Sequence, residues 1–151
     1  SMRETYEISD RFIEAGDANH LLYEPLSSGL TFRRTRRYEL EFEGVRPPME
    51  AFVRKTLFDE ISQEFHEGEE PALKGFTFFL DYGMKPGALD LEKETILRYY
   101  SGIKDPGFTL KDLKIRQRIY LFGGKAEESG RFVRDICNAA IHQWTVTQAN
   151  A

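Results

Sequence analysis

Three histidines, His20, His66 and His142, have the widest chemical repertoire in the chain, and their spacing gives them no common task. No two stand at i, i+4 and none has a cysteine at ligand distance, so the sequence predicts no zinc or other metal site. Cys137 falls at helical spacing among Phe132, Val133, Ile136, Ala140 and Ile141 and reads as a small core residue, not a nucleophile. No serine occupies a G-x-S-x-G elbow. Gly123-Gly124-Lys125 is a fragment of a phosphate loop without its first glycine or its Ser/Thr, and fits a strand-to-helix turn better. Glu67, Glu69 and Glu70 form a solvated run, and Glu39, Glu41 and Glu43 alternate as an exposed strand face. The sequence therefore predicts no pair of carboxylates in an apolar setting, the arrangement that general acid–base work needs. No catalytic residue and no cofactor is expected.

The strongest charge cluster is a basic strand, Arg33, Arg34, Arg36 and Arg37. Lys111, Lys114, Arg116 and Arg118 occupy a similar strand later on. Three occupants are open for such strands: nucleic acid, with Tyr38 or Tyr120 stacking on bases, an acidic protein surface, or solvent.

The elements that must position these residues follow from hydrophobic periodicity. Arg3–Ile8 alternates as a short strand, and Asp17-Ala18-Asn19 opens a helix through Leu21, Leu22 and Leu26. Tyr38, Leu40 and Phe42 alternate with the three glutamates in a strand over 31–42, which Gly44 ends. Pro47-Pro48 starts a helix, and Met49, Phe52, Val53, Leu57, Ile61 and Phe65 extend it over about five turns. The run 67–71 is a polar linker. Phe76, Phe78, Leu80 and Tyr82 form the next strand, and Asp90 caps a helix carrying Ile96, Leu97 and Tyr100. Asp105-Pro106-Gly107 turns the chain into a strand over Leu113, Ile115, Ile119 and Leu121. A helix from Phe132 to Ile141 and a last strand over 142–148 complete the pattern.

This order repeats. Phe52-Val53-Arg54 recurs as Phe132-Val133-Arg134, and Phe42 and Gly44 recur as Phe122 and Gly124, all at an offset of 80. Two halves are expected, 1–70 and 71–151, each too small to bury much surface alone. The fold class expected is α+β, with the helices packed on one face of a mainly antiparallel sheet.

Composition fits that picture. The 151 residues carry a net charge of −4, with 12 Phe, 7 Tyr and one Trp for a core. A negative balance argues against nucleic acid or an anionic membrane as a whole-surface partner. One cysteine makes no internal disulfide. No apolar run reaches the roughly 20 residues that span a bilayer, and no signal-peptide pattern opens the chain. A cytoplasmic location is expected.

The second half resembles the PurS family, the small subunit of phosphoribosylformylglycinamidine synthase. That family reads as a strand, K-P-G-x-L-D, a helix, a second strand, a second helix and an ending strand. Here a strand runs into Lys85-Pro86-Gly87-Ala88-Leu89-Asp90, Gly107 precedes a strand with Arg116, and Asn138-Ala139-Ala140-Ile141 stands in the place of N-P-x-I. The likeness covers 74–148 and departs from the pattern at Ala139 and at the extra length of 104–106. Thr35–Phe42 and Thr56–Ile61 are similar to the N-terminal domain of the single-chain synthase, itself built as two PurS-type halves.

The resemblance implies two PurS-like repeats fused in tandem and a role without active-site residues. The synthase converts formylglycinamide ribonucleotide to its amidine with ATP and with ammonia from glutamine. A PurS-type chain bridges the PurL-type synthetase and the PurQ-type glutaminase and supports ammonia transfer; it is a non-catalytic part of a carbon–nitrogen ligase. Those two chains are the partners implied, with self-association possible. Lys85, Pro86, Gly87, Leu89, Asp90, Gly107 and Arg116 match the motif; Lys85 and Arg116 are the contact residues it suggests, the others turn and fold determinants. The alternative is a stand-alone ferredoxin-like or ACT-like module that binds a small effector or a protein.

Overall fold

The computed structural model describes residues 1–26 and 29–149. Among these residues seven strands form one sheet, and each of their pairings is antiparallel. They are β1 (Met2–Asp10), β2 (Gly16–Asp17), β3 (Thr31–Gly44), β4 (Gln63–Glu67), β5 (Phe78–Met84), β6 (Phe108–Phe122) and β7 (His142–Gln148). Three helices, α1 (Arg46–Thr56), α2 (Leu91–Ser101) and α3 (Ser129–Ile136), join them, with 3-10 turns at Ala18–Leu21 and Ala126–Glu128. The class is α+β, as the alternating patterns predict.

The strand order is β4-β1-β3-β6-β5-β7, with β2 pairing onto β3. It reads alike from both ends: an outer strand, then the strand first in its half, then a long strand meeting its counterpart at the centre. The central register has a matching property. Arg36 opposes Gln117, and Arg37 opposes Arg116. Positions 80 apart, 36 with 116 and 37 with 117, therefore lie diagonally across the middle of the β3–β6 pairing.

One face of the sheet carries the helices and two apolar clusters. In the first, Tyr6, Ile8, Tyr38, Leu40, Phe42, Leu113 and Ile115 meet Met49, Phe52 and Val53 of α1 and Ile96 of α2. In the second, Phe78, Ile119 and Leu121 meet Phe132 of α3 together with Ala18, Leu22 and Leu30. Each cluster draws residues from both sides of position 70. Helix α2 packs with α1, and the 3-10 turn at Ala18–Leu21 packs with α3.

The opposite face is covered between β1 and β6 by the segment that links the halves. Gly68 N donates to Thr5 O, Ala72 N donates to Glu7 Oε1, and Phe76 packs 5.2–5.3 Å from the rings of Phe79 and Tyr120.

Phe76, expected on the strand with Phe78, instead precedes β5 in the linking segment, and three further boundaries differ from the periodicity. The helix after Pro48 stops at Thr56, not at Phe65. Asp59 turns the chain there, accepting from Ile61 N and Ser62 Oγ, and these bonds hold its carboxyl below the usual aspartate range. Phe65 then lies on β4 and stacks on Tyr6 at 4.8 Å. The last helix stops at Ile136, and Asn138 forms the turn into β7, so Ala140 and Ile141 leave the helical stripe. Cys137 caps α3 half-buried, and burial pushes its thiol up. The helix expected after Asp17 is a single 3-10 turn, capped by the Asp17 carboxylate, so the first half has one α-helix.

Candidate interface and its basic notch

The K-P-G-A-L-D run forms the loop between β5 and α2. Lys85 N donates to Ile141 O, tying the loop to the turn before β7. Ala88 N closes a turn on Lys85 O at 3.0 Å, and Gly87 takes a φ of +87°, a value that glycine adopts without strain. Asp90 caps α2, accepting from Lys93 N at 3.0 Å.

The loop faces β6 where β5 separates from it. The last β5–β6 pair is Tyr82 with Gln117. A cavity of about 220 Å³ opens beyond it, lined by Lys85, Pro86, Gly87, Asp90, Lys93, Lys114 and Arg116 among others. The guanidinium of Arg116 passes over Gly83; a Cβ there would lie 3.1 Å from Arg116 Nη1 and 2.7 Å from Ile115 O. Five of the seven motif residues, Lys85, Pro86, Gly87, Asp90 and Arg116, thus converge on one cavity. Leu89 does not line it and is 65% exposed. Gly107 lies at the far end of β6 with a φ of +85°, where a Cβ would meet Pro48 of α1 at 2.9 Å.

The cavity has a surplus of positive charge. Asp112 takes the Lys93 ammonium at 3.4 Å and its own neighbour, Leu113 N, at 2.8 Å. Asp90 is engaged by the helix. Lys85, Lys114 and Arg116 form no ion pair with any described residue.

The four arginines of the basic strand do not share a face, because side chains alternate along a strand. Arg34 and Arg36 lie on the helical face and Arg33 and Arg37 on the other. Arg36 Nη1 donates to Glu92 at 2.7 Å and contacts the Tyr38 hydroxyl; that contact, ahead of the nearby carboxylates, raises its pKa. Arg34 lies over the Phe32 ring at 5.6 Å. Arg37 pairs with Glu69 at 3.1 Å. Tyr38 is buried against Glu92, and burial raises its hydroxyl to about 12. Tyr120 is buried entirely. Neither tyrosine can present a ring to a nucleic-acid base.

Arg118, expected on the basic strand, is instead the centre of a buried cluster. It grips Asp81 with two bonds, Nε to Oδ1 at 2.7 Å and Nη2 to Oδ2 at 2.9 Å. Its Nη1 donates to Glu7 Oε1 at 2.9 Å. Glu7 Oε2 accepts from the Tyr120 hydroxyl at 2.6 Å and from Thr35 Oγ1 at 2.7 Å. The guanidinium lies 3.9 Å from the centre of the Phe79 ring. Burial works against its charge, but the bonds and charges of Asp81 and Glu7 prevail and raise its pKa. Burial, then Glu7, raises that of Tyr120. Two carboxylates do share a buried setting, contrary to expectation, with an arginine between them. Its geometry is that of a clamp: Glu7 reaches Arg118 and Ala72 across the sheet, and every charged end is bonded. The cue lay in Asp81, a charge inside the run F-F-L-D-Y.

Comparisons with protein-family models, with curated proteins and with solved structures returned no match. Among the described residues no helix is long and apolar enough to cross a membrane.

Proposed function

We propose that the chain is an adaptor of the PurS type, serving phosphoribosylformylglycinamidine synthase as a subunit or N-terminal domain that bridges its synthetase and glutaminase parts. The observation that carries this reading is the arrangement of the second half. Its elements run strand, helix, strand, helix, strand, and the K-P-G-x-L-D run sits in the first strand-to-helix loop, as the resemblance implies. The strand order, alike from both ends, supports the fused-pair part of the reading. The convergence of Lys85, Asp90 and Arg116 at one cavity supports a contact role for the motif. In this role the chain contributes surfaces and spacing, and the reacting groups belong to its partners.

The test is reconstitution. The chain is mixed with PurL-type and PurQ-type chains of the same source, with glutamine and ADP present. A ternary complex on gel filtration and glutamine-dependent synthase activity that needs the chain are expected. Full activity without it, and no complex, would refute the proposal.

A second reading has one observation in its favour. A cavity of about 280 Å³ on the helical face is lined by Ile8, Asp10, Arg34, Arg36, Gln63 and Gln117, a mixed polar set suited to a small zwitterion. Thermal stabilisation by amino acids or nucleotides, with no response to synthase chains, would favour this effector-binding module.

A further inference from the structure

The two long strands differ at equivalent places. On β3, pairing with β1 covers Thr35–Phe42, and β2 then takes the same edge, Gly16 opposite Phe32 and Asp17 opposite Thr31. On β6, pairing with β5 covers Gln117–Leu121 and nothing replaces it. Further along, the Tyr100 hydroxyl donates to Phe108 O at 2.6 Å and accepts from Leu110 N at 3.1 Å, closing the edge there. Between these two points, among the described residues, Asp112–Arg116 has no strand on that side. The offset of 80 maps Thr31 and Phe32 onto Lys111 and Asp112. The first half therefore fills its notch with its own Gly16–Asp17, and the second half leaves its notch open.

The charge of the open notch identifies what fits. Lys85, Lys114 and Arg116 stand around it and form no ion pair with any described residue; Asp90 and Asp112 line it too but are engaged by Lys93 and Leu113 N, and Glu39 and Glu41 flank Lys114 on the β3 side. The internal occupant of the equivalent place carries an aspartate, whose carboxylate there caps the 3-10 turn and makes no ion pair with any described residue. We propose that the notch receives a short extended segment of a partner protein that bears a carboxylate. Its main chain adds to the edge of β6 that has no strand partner, displacing Asp112 Oδ1 from Leu113 N, and its acidic group meets Lys85, Lys114 and Arg116. Gly83 is the positioning residue, because the missing Cβ lets Arg116 lie across the end of β5. The open stretch is five residues, roughly 17 Å of strand, enough for a short motif. The inference rests on strand pairing and charge, so it stands or falls separately from the synthase reading.

The occupant of the first notch supplies the probe. An end-blocked peptide with the sequence of 12–19, Phe-Ile-Glu-Ala-Gly-Asp-Ala-Asn, is titrated into the intact isotope-labelled chain at low salt. Saturable shifts at the amides of Leu113, Ile115 and Gly87 are expected. A peptide with both acids amidated (Glu14→Gln, Asp17→Asn) should bind about tenfold more weakly, the loss of one charge-assisted contact. Lys114→Gln with Arg116→Gln should give the same loss in a chain whose dispersed spectrum reports a native fold; Lys85→Gln alone should give part of it. No saturating shift at millimolar peptide, shifts at β4 or β7 instead, or equal binding of the neutral peptide would overturn the proposal. The same shifts from inorganic phosphate alone would reduce the notch to a simple anion site and overturn it as well.

Discussion

Arg118 illustrates how one side chain can hold a fold together without taking part in chemistry. It is 2% exposed and neutralises two carboxylates that belong to strands on different parts of the sheet. Replacing it by methionine fills the space but leaves Asp81 and Glu7 buried without a counter-charge. Stability should fall by about 3–5 kcal/mol, read from urea unfolding; a change within 1 kcal/mol would mean that the cluster is not a clamp. Glu69 gives a pH signature at the same scale. The Thr5 hydroxyl, then Arg37, holds its carboxyl below the usual range. The folded state therefore binds fewer protons there than the unfolded state, and stability rises with pH through this window. The contribution is complete above the usual glutamate value of about 4.5 and is lost as pH falls through the depressed one. Glu69→Gln should flatten the acid limb of a stability–pH curve; an unchanged limb would remove the linker from the account.

At the scale of elements, two contacts shape the notch. The Tyr100 hydroxyl serves both a carbonyl and an amide of β6, so Tyr100→Phe should cost about 1–3 kcal/mol through the two groups left unmet. Hydrogen exchange should quicken at Leu110 and not at Leu80. Gly83→Ala places a methyl 2.7 Å from Ile115 O; about 1–3 kcal/mol of overpacking is expected, together with a shifted Arg116. Elements were legible where the pattern was long. The alternation from Tyr38 to Phe42 is a strand with those three side chains at most 3% exposed, and Asp90 is the cap its position suggests. They were illegible where two periods coincide. Phe65 follows Ile61 by four residues, a helical interval, yet the Asp59 turn separates them and leaves Ile61 81% exposed. The motif cavity was half legible: Lys85, Pro86, Gly87, Asp90 and Arg116 converge, but no local signal announces that Lys93 and Lys114 join them, because that depends on where β5 parts from β6. Arg118 was misplaced for a related reason, since the partner that buries it lies in the first strand of the chain.

For the whole molecule the decisive fact is that both apolar clusters are shared between the halves. Residues 71–149 expressed alone would lose the β3 edge and the 3-10 turn that covers Phe132. They should be either unfolded or a homodimer joined through β6, whose long edge is left bare once β3 is removed. Sedimentation and circular dichroism distinguish these outcomes from a folded monomer, which would contradict the shared cores. Mixing the separate halves should restore the native spectrum.

The clamp also sets a timetable. Glu7 and Arg118 are 111 residues apart, so at typical elongation rates the ribosome needs about 5–20 s to deliver the arginine after the glutamate. Through that interval β1 carries a charged group whose native counter-charge has yet to be synthesised. Final closure of the open face thereby waits until residue 118 has been made. Pulse-labelled nascent chains stalled before residue 118 should remain protease-sensitive across 68–77, and a chain of residues 1–151 released from the ribosome should not.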